Sequence, residues 1–330
     1  MNNERLAHVR ANLRRRGLSQ MLLVDPLSIW WLCGYYTEPY ERFLALYVPC
    51  DEAKEPVMFS NRLFPEVGDA CADVRTFDDT EDPIALVRDV TDHAAALGVD
   101  KKLAARWLVP LMEAGAATGF ALASDAVDDA RSIKDAREQE LMRAASAVND
   151  QAMDWLAGQV RPGVTERQIA DGLLGEYRRL GAQDHSFLPI VSFGDHGADP
   201  HHEPDDTPFV PGDVVLFDVG CKKDWYCSDM TRTFFTAKPT EHQRRVYDTV
   251  LRANEAAEAI VRPGVEFAQI DLTARRIIED AGWGPDFNHR LGHQIGLEDH
   301  EPGDVSLVNE QVVEPGMTFS IEPGIYLPGN

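Results

Sequence analysis

Pro211-Gly212-Asp213-Val214-Val215-Leu216-Phe217-Asp218-Val219-Gly220 is the stretch on which the fold turns. A Pro-Gly turn leads into a run of apolar residues, and the run ends on an acid. The design recurs at Pro315-Gly316-Met317-Thr318-Phe319-Ser320-Ile321-Glu322-Pro323-Gly324, at an offset that sets Glu322 on Asp218. Upstream, Val160-Arg161-Pro162-Gly163-Val164 opens TERQIADGLLGEYRRLG, and Val261-Arg262-Pro263-Gly264-Val265 opens EFAQIDLTARRIIEDAG. In both, a turn precedes an amphipathic helix stopped by a glycine, Gly181 or Gly282, as helix-end signals predict. Thr165 and Gln168 have capping-box spacing. Turn, helix, strand and acid recurring together imply duplication. Two like halves about a pseudo-twofold axis bring matching carboxylates together at their junction.

Asp229, in SDMTRTFF, follows Asp218 across Gly220 and CKKDWYCS, which reads as a hairpin with one carboxylate on each strand. A lone strand Asp usually faces solvent. Asp218 follows the apolar run 214–217, however, so its surroundings should be buried, where a carboxylate needs a partner. The hydroxyls of Thr231 and Thr233 stand nearby as supporting donors. His293 lies in the glycine-flanked loop Gly292-His293-Gln294-Ile295-Gly296, with His289, Arg290 and His300 around it, while His201 and His202 follow Pro200. Taken singly, such acids and histidines read as packing or hydrogen-bonding residues. Taken together, Asp218, Asp229, His293 and Glu322 offer hard oxygen donors with one imidazole, a set suited to Mn²⁺, Co²⁺ or Zn²⁺. Two such ions about 3.5–4 Å apart can activate one shared water as a hydrolytic nucleophile.

The region before this duplication alternates helical and strand signals. Helices are expected over 3–16, 83–98 and 104–118, and strands over 21–24, 44–48 and 57–59. Residues 1–130 therefore read as an α/β domain and 131–330 as the duplicated α+β domain, with the weakly periodic acidic stretch 124–132 at the boundary. The chain of 330 residues is long enough for two well-buried cores. Asp and Glu outnumber Lys and Arg by 55 to 32, giving a net charge of −23 that argues against nucleic acid and anionic membranes as partners. Such a surface reads either as solubility through self-repulsion or as adaptation to a high-salt cytoplasm. Five cysteines without a CxxC pair fit a reducing compartment. The amphipathic start MNNERLAHVRANLRRRG is no signal peptide, and no apolar run approaches membrane-spanning length, so a cytoplasmic location is expected.

PHHEP, FDVG, SDMTRTF, HRLGHQIGLEDHEP and SIEPGIY together resemble the motifs of the M24 metallopeptidase family of pita-bread fold, in that family's order and spacing. The N-terminal region is similar to the creatinase-like domain of its proline-specific members, and YYTEPYERFLALYVP looks like the matching segment of bacterial proline dipeptidases. The resemblance implies two divalent cations, with Mn²⁺ foremost. Asp218 would bind one, Asp229 would bridge both, and His293 and Glu322 would hold the second. It makes Glu322 the general base, His201 and His300 contacts of the scissile carbonyl, and His289 and Arg290 substrate-side residues, the arginine gripping a short peptide's carboxylate. Two departures stand out. Gln294 replaces the usual glycine and is expected to crowd the loop. The family's fifth ligand, a bridging Glu on a final strand, would fall beyond Asn330, so the sequence reads either as a fragment, the favoured reading, or as a protein that has lost its last strand, and as numbered it is expected to bind metal poorly.

The activity so implied is hydrolysis of Xaa-Pro bonds in short peptides with proline in second position, by a proline dipeptidase. Its alternatives are an aminopeptidase P, a non-peptidase C–N hydrolase or lyase acting on a small osmolyte, and an inactive binding homologue. Resemblance to dimeric dipeptidases further implies a homodimer in which the loop 38–42 narrows a neighbour's entrance, the other reading being an ordinary strand connection.

Overall fold

The computed structural model describes residues 1–329. The chain divides into two compact units, Met1–Arg131 and Ser132–Asn330.

The first unit is built on a mixed six-stranded sheet. Its spatial order is Asp73–Phe77, Val57–Asn61, Ala45–Pro49, Gln20–Leu23, Leu97–Val99, Phe120–Leu122. The strands Gln20–Leu23, Ala45–Pro49 and Val57–Asn61 are buried on both faces, which is why their apolar residues stand consecutively and do not alternate with exposed polar ones. Helices Asn3–Arg15, Pro26–Cys33, Pro83–Arg88, Ala105–Glu113 and Asp125–Ser132 accompany the sheet.

Two expected helices are shorter than their sequence pattern. The first ends at Arg88 because the Gln20 side chain accepts the Asp92 N–H at 2.8 Å, and the chain turns back into a strand at Leu97. Gly98 belongs to that strand: a Cβ there would lie 2.7 Å from the Ala123 Cβ. The second ends near Gly115, at φ 64°, where the Ala116 N–H bonds the Leu111 carbonyl at 3.1 Å. Conversely, the stretch 124–132 carries a helix, with Ala126, Val127 and Ala130 buried.

The second unit repeats itself in detail. Helices Ala136–Gln159 and Glu166–Arg179 in the first half match Glu241–Ile260 and Phe267–Asp280 in the second. The turns between them close alike: Gly163 N–H to Phe209 O at 3.2 Å, Gly264 N–H to Val313 O at 2.9 Å. Phe209 N–H then bonds Val164 O at 2.7 Å, and Val313 N–H bonds Val265 O at 2.8 Å. Both turn glycines need the left-handed region, at φ 81° and 88°. Each half packs its own core, the first around Leu173, Tyr177 and Phe217, the second around Phe267, Ile270 and Ile278. In the first half, Val214–Val219 is the centre of an antiparallel three-stranded sheet with Ile190–Phe193 and Met230–Phe235. In the second, Gly292–Gln294 pairs with Glu301–Val305. The matching segment 318–322 is not a regular strand. It still runs alongside 291–295 through bonds from Ile295 N–H to Thr318 O, Ser320 N–H to His293 O and Glu322 N–H to Leu291 O, at 3.2, 2.8 and 2.8 Å. No helix among the described residues is long and apolar enough to cross a membrane.

Candidate metal centre

Strand Val214–Val219 alternates buried residues with half-buried ones, and Asp218 falls on the less buried face. Across the ladder it meets Thr231, whose hydroxyl hydrogen-bonds its carboxylate. The hairpin expected between the two acids is present. Asp224 and Trp225 form its tip at φ 48° and 78°, the paired positive angles of a tight hairpin turn. Gly220 is required next to Asp218, since a Cβ there would lie 2.1 Å from the Ser228 carbonyl oxygen. Asp229 then precedes strand Met230–Phe235.

The second half delivers the rest. His293 Nε2 lies 3.5 Å from Asp229 Oδ2 and 3.4 Å from Glu322 Oε1. Ligand bonds of about 2.0–2.2 Å put neighbouring donors about this far apart, so the spacing leaves room for a shared cation. The opposite ring atom, Nδ1, is 3.1 Å from the Gln294 carbonyl, which can only accept, so Nδ1 carries a proton and Nε2 faces the carboxylates. Ser320 connects these two residues: its Oγ accepts the His293 N–H at 3.0 Å and lies 3.0 Å from Glu322 Oε1, to which it can donate.

Charge is crowded here. Burial first, and the Asp229 carboxylate second, push Asp218 up to about 7. Burial and the Asp229 charge likewise raise Glu322. Burial alone would lower His293, but its hydrogen bond to Asp229 and the Glu322 charge outweigh it and raise it. The Oδ1 atom of Asp218 is buried without a hydrogen-bond partner among the described residues. Gathered anions, an orphaned carboxylate oxygen and an imidazole presenting Nε2 fit divalent cations of the hard or borderline kind. Asp218, Asp229, His293 and Glu322 would hold them.

The sequence reading missed two residues. Asp299 lies with His293 and His300, is pushed up to about 7 by burial and then by Asp229, and also has a buried, unpartnered Oδ1. It sits in the acid-rich stretch EDHE, which reads as exposed. Tyr326 places its hydroxyl 3.1 Å from His289 Nε2, while His289 Nδ1 donates to the Arg290 carbonyl at 2.6 Å. The Glu322 and Asp218 charges, acting after burial, raise that phenol.

The predicted substrate-side residues surround this cluster unequally. The His300 ring stacks on His293 with centroids 3.9 Å apart. Burial first, then the His293 and Arg290 charges, lower His300. Arg290 is tied to Asp304 at 2.5 Å and approaches His300 Nδ1 at 3.4 Å. His201 is exposed, its N–H donating to Asp199, and it is near enough to His289 for their charges to interact. The loop 296–301 is fixed from below by a buried ion pair, Lys134 Nζ to Glu301 Oε2 at 3.0 Å. The Gln294 side chain packs against Gly303. A bulge follows His293, and the Gln294 amide fills space left by Gly303, where a Cβ would come within 2.4 Å of it.

This chain matches the metallopeptidase family M24 over residues 140–330 and the creatinase/prolidase N-terminal domain over residues 5–133. An uncharacterized peptidase of Staphylococcus epidermidis is 34% identical over 327 residues, 98% of this chain and 92% of the relative. The dipeptidase PepE of Mycobacterium ulcerans superposes with a TM-score of 0.91 at 34% identity, over 99% of this chain and 89% of that one. The prolidase of Thermococcus sibiricus does so with a TM-score of 0.92 at 29% identity, over 100% and 91%. With two family models covering its two units and a pita-bread duplication at its centre, the chain belongs to metallopeptidase family M24 and carries a creatinase/prolidase N-terminal domain.

Proposed function

We propose that this protein is a proline dipeptidase, hydrolysing the Xaa-Pro bond of short peptides. The observation that carries the reading is the convergence of Asp229, His293 and Glu322, with Asp218 and His300 beside them, at the meeting of the two halves. It is supported by structural likeness to a prolidase and a dipeptidase over nearly the whole chain. Two divalent cations, Mn²⁺ foremost, would supply Lewis acidity and an acidified water. Glu322 is the base. The Ser320 hydroxyl fixes its orientation, and it takes a proton from the attacking water and returns it to the leaving imino nitrogen. His300 and His201 donate to the scissile carbonyl oxygen as negative charge builds there. Arg290, held by Asp304, and His289, held by Tyr326, line the side where the peptide's carboxylate docks. The 38–42 connection, with Tyr40 exposed at φ 51° and Arg42 held by Asp79 at 3.0 Å, is the proposed dimer element.

The test is release of free proline from Leu-Pro and Ala-Pro by the complete protein, with Mn²⁺ present and after chelation. The proposal expects release that depends on the metal and is confined to dipeptides. Equal or faster cleavage of longer Xaa-Pro peptides would assign the protein as an aminopeptidase P, and no release with any divalent metal would overturn the peptidase reading.

A further inference from the structure

A second group of metal-type side chains lies apart from the Asp229–His293–Glu322 cluster, at the start of helix Glu166–Arg179. Glu166 is fully buried. Its Oε1 lies 3.0 Å from His196 Nδ1 and accepts the Phe193 N–H at 2.7 Å. Its Oε2 lies 2.7 Å from His202 Nε2 and accepts the Asp205 N–H at 3.3 Å. The Asp205 carboxylate is oriented by the Thr207 N–H at 2.7 Å. One ligand atom from each of Glu166, His196, His202 and Asp205 lies within 4.8 Å of all the others.

Two carboxylates meet here, and among the described residues neither has a Lys or Arg ion-pair partner. The His196 and His202 rings are tilted against each other with centroids 4.2 Å apart. A buried carboxylate facing two imidazoles and a second carboxylate, with no Lys or Arg partner, is a setting in which a bound cation would be well accommodated. Two imidazole nitrogens with two carboxylate oxygens, one buried and one half-exposed towards solvent, match the donor set of a four-coordinate zinc site with a route of entry.

We propose that Glu166, His196, His202 and Asp205 form a separate site for one divalent cation of the Zn²⁺ type, independent of the catalytic centre. Its ligands join the start of helix Glu166–Arg179 to the segment 194–206, which bears His201. Loading the site fixes the segment that presents His201.

The experiment is titration of the metal-stripped full chain with Co²⁺, a spectroscopically visible stand-in for Zn²⁺, with bound ions counted by equilibrium dialysis. The D229N/H293A chain is expected to keep one Co²⁺ with the intense visible bands of four-coordinate cobalt. Adding H196Q/H202Q should abolish that ion. In the otherwise unchanged chain, H196Q/H202Q should bind one ion fewer and keep those of the catalytic centre, whose failure to appear would instead count against the dipeptidase reading. The proposal is overturned if D229N/H293A binds no Co²⁺, or if H196Q/H202Q leaves count and spectrum unchanged. If the histidine variants do not fold by circular dichroism, ¹¹³Cd resonance of the D229N/H293A chain decides: a signal from nitrogen and oxygen ligands is expected, and its absence overturns the proposal.

Discussion

Neutralising Asp218 should act in opposite directions on the metal-free and metal-bound protein. Its folded-state value, about 7, lies above the ordinary 3.8 of the unfolded chain. A carboxyl raised in this way contributes its stability below about pH 4 and loses it as pH climbs towards 7, at up to about 1.4 kcal/mol per pH unit. Asp299 and Glu322 have the same sign. The metal-free protein should therefore be less stable at pH 7 than at pH 5. Asp218→Asn should raise its melting temperature at pH 7 by several degrees and abolish the stabilisation that Mn²⁺ gives the parent protein. Thermal scans at both pH values check this, and an unchanged metal-free midpoint would contradict it. Ser320→Ala removes one hydrogen bond that orients Glu322, worth about 1 kcal/mol, so kcat should fall about fivefold with bound metal retained. Steady-state kinetics alongside metal analysis read both. The proposed ligands Asp218, Asp229, His293 and Glu322 were legible in sequence as a set, through motifs similar to the family's, although each alone reads as a packing or hydrogen-bonding residue. Asp299 and Tyr326 were not, because a surface-like acid run and a core-like aromatic reveal their roles only once the halves have met.

At the scale of elements, the two halves have diverged in how they start their second helix. Thr165 and Gln168 complete a capping box on Glu166–Arg179. The matching Glu266 makes no side-chain cap on Phe267–Asp280. Thr165→Ala should cost about 1 kcal/mol and Glu266→Ala close to nothing. Urea unfolding of the two variants measures the difference, and equal losses would contradict it. The duplicated turns were readable in sequence because a Pro-Gly pair and a left-handed glycine are local requirements. The two helix lengths over 83–98 and 104–118 were not. Alanine-rich helical propensity there gives way to a bond from the distant Gln20 and to the sheet that Gly98 completes. The irregular course of 318–322 was hidden for a like reason, since its partner strand is remote in sequence.

For the whole molecule, a net charge of −23 sets long-range repulsion against surface ion pairs such as Arg62–Asp78 and Arg75–Asp73. Each such exposed pair contributes little, and salt weakens repulsion and pairing alike. With anions in such excess, relief of repulsion wins, so the melting temperature should rise between dilute buffer and molar KCl. A fall would show that the ion pairs dominate. The broad architecture was legible because burial periodicity and the repeat are carried by many residues at once. Substrate preference was not, because it depends on how the side chains around the cluster, the proposed substrate-side residues Arg290 and His289 among them, face a peptide. The central claim is that two halves of one duplicated unit hold paired divalent cations between them. Crystals of the full chain grown with Mn²⁺ and measured at the manganese absorption edge test it most directly. Anomalous peaks bounded by Asp218, Asp229, His293 and Glu322 are predicted; a map with no peak among those four side chains would contradict the account.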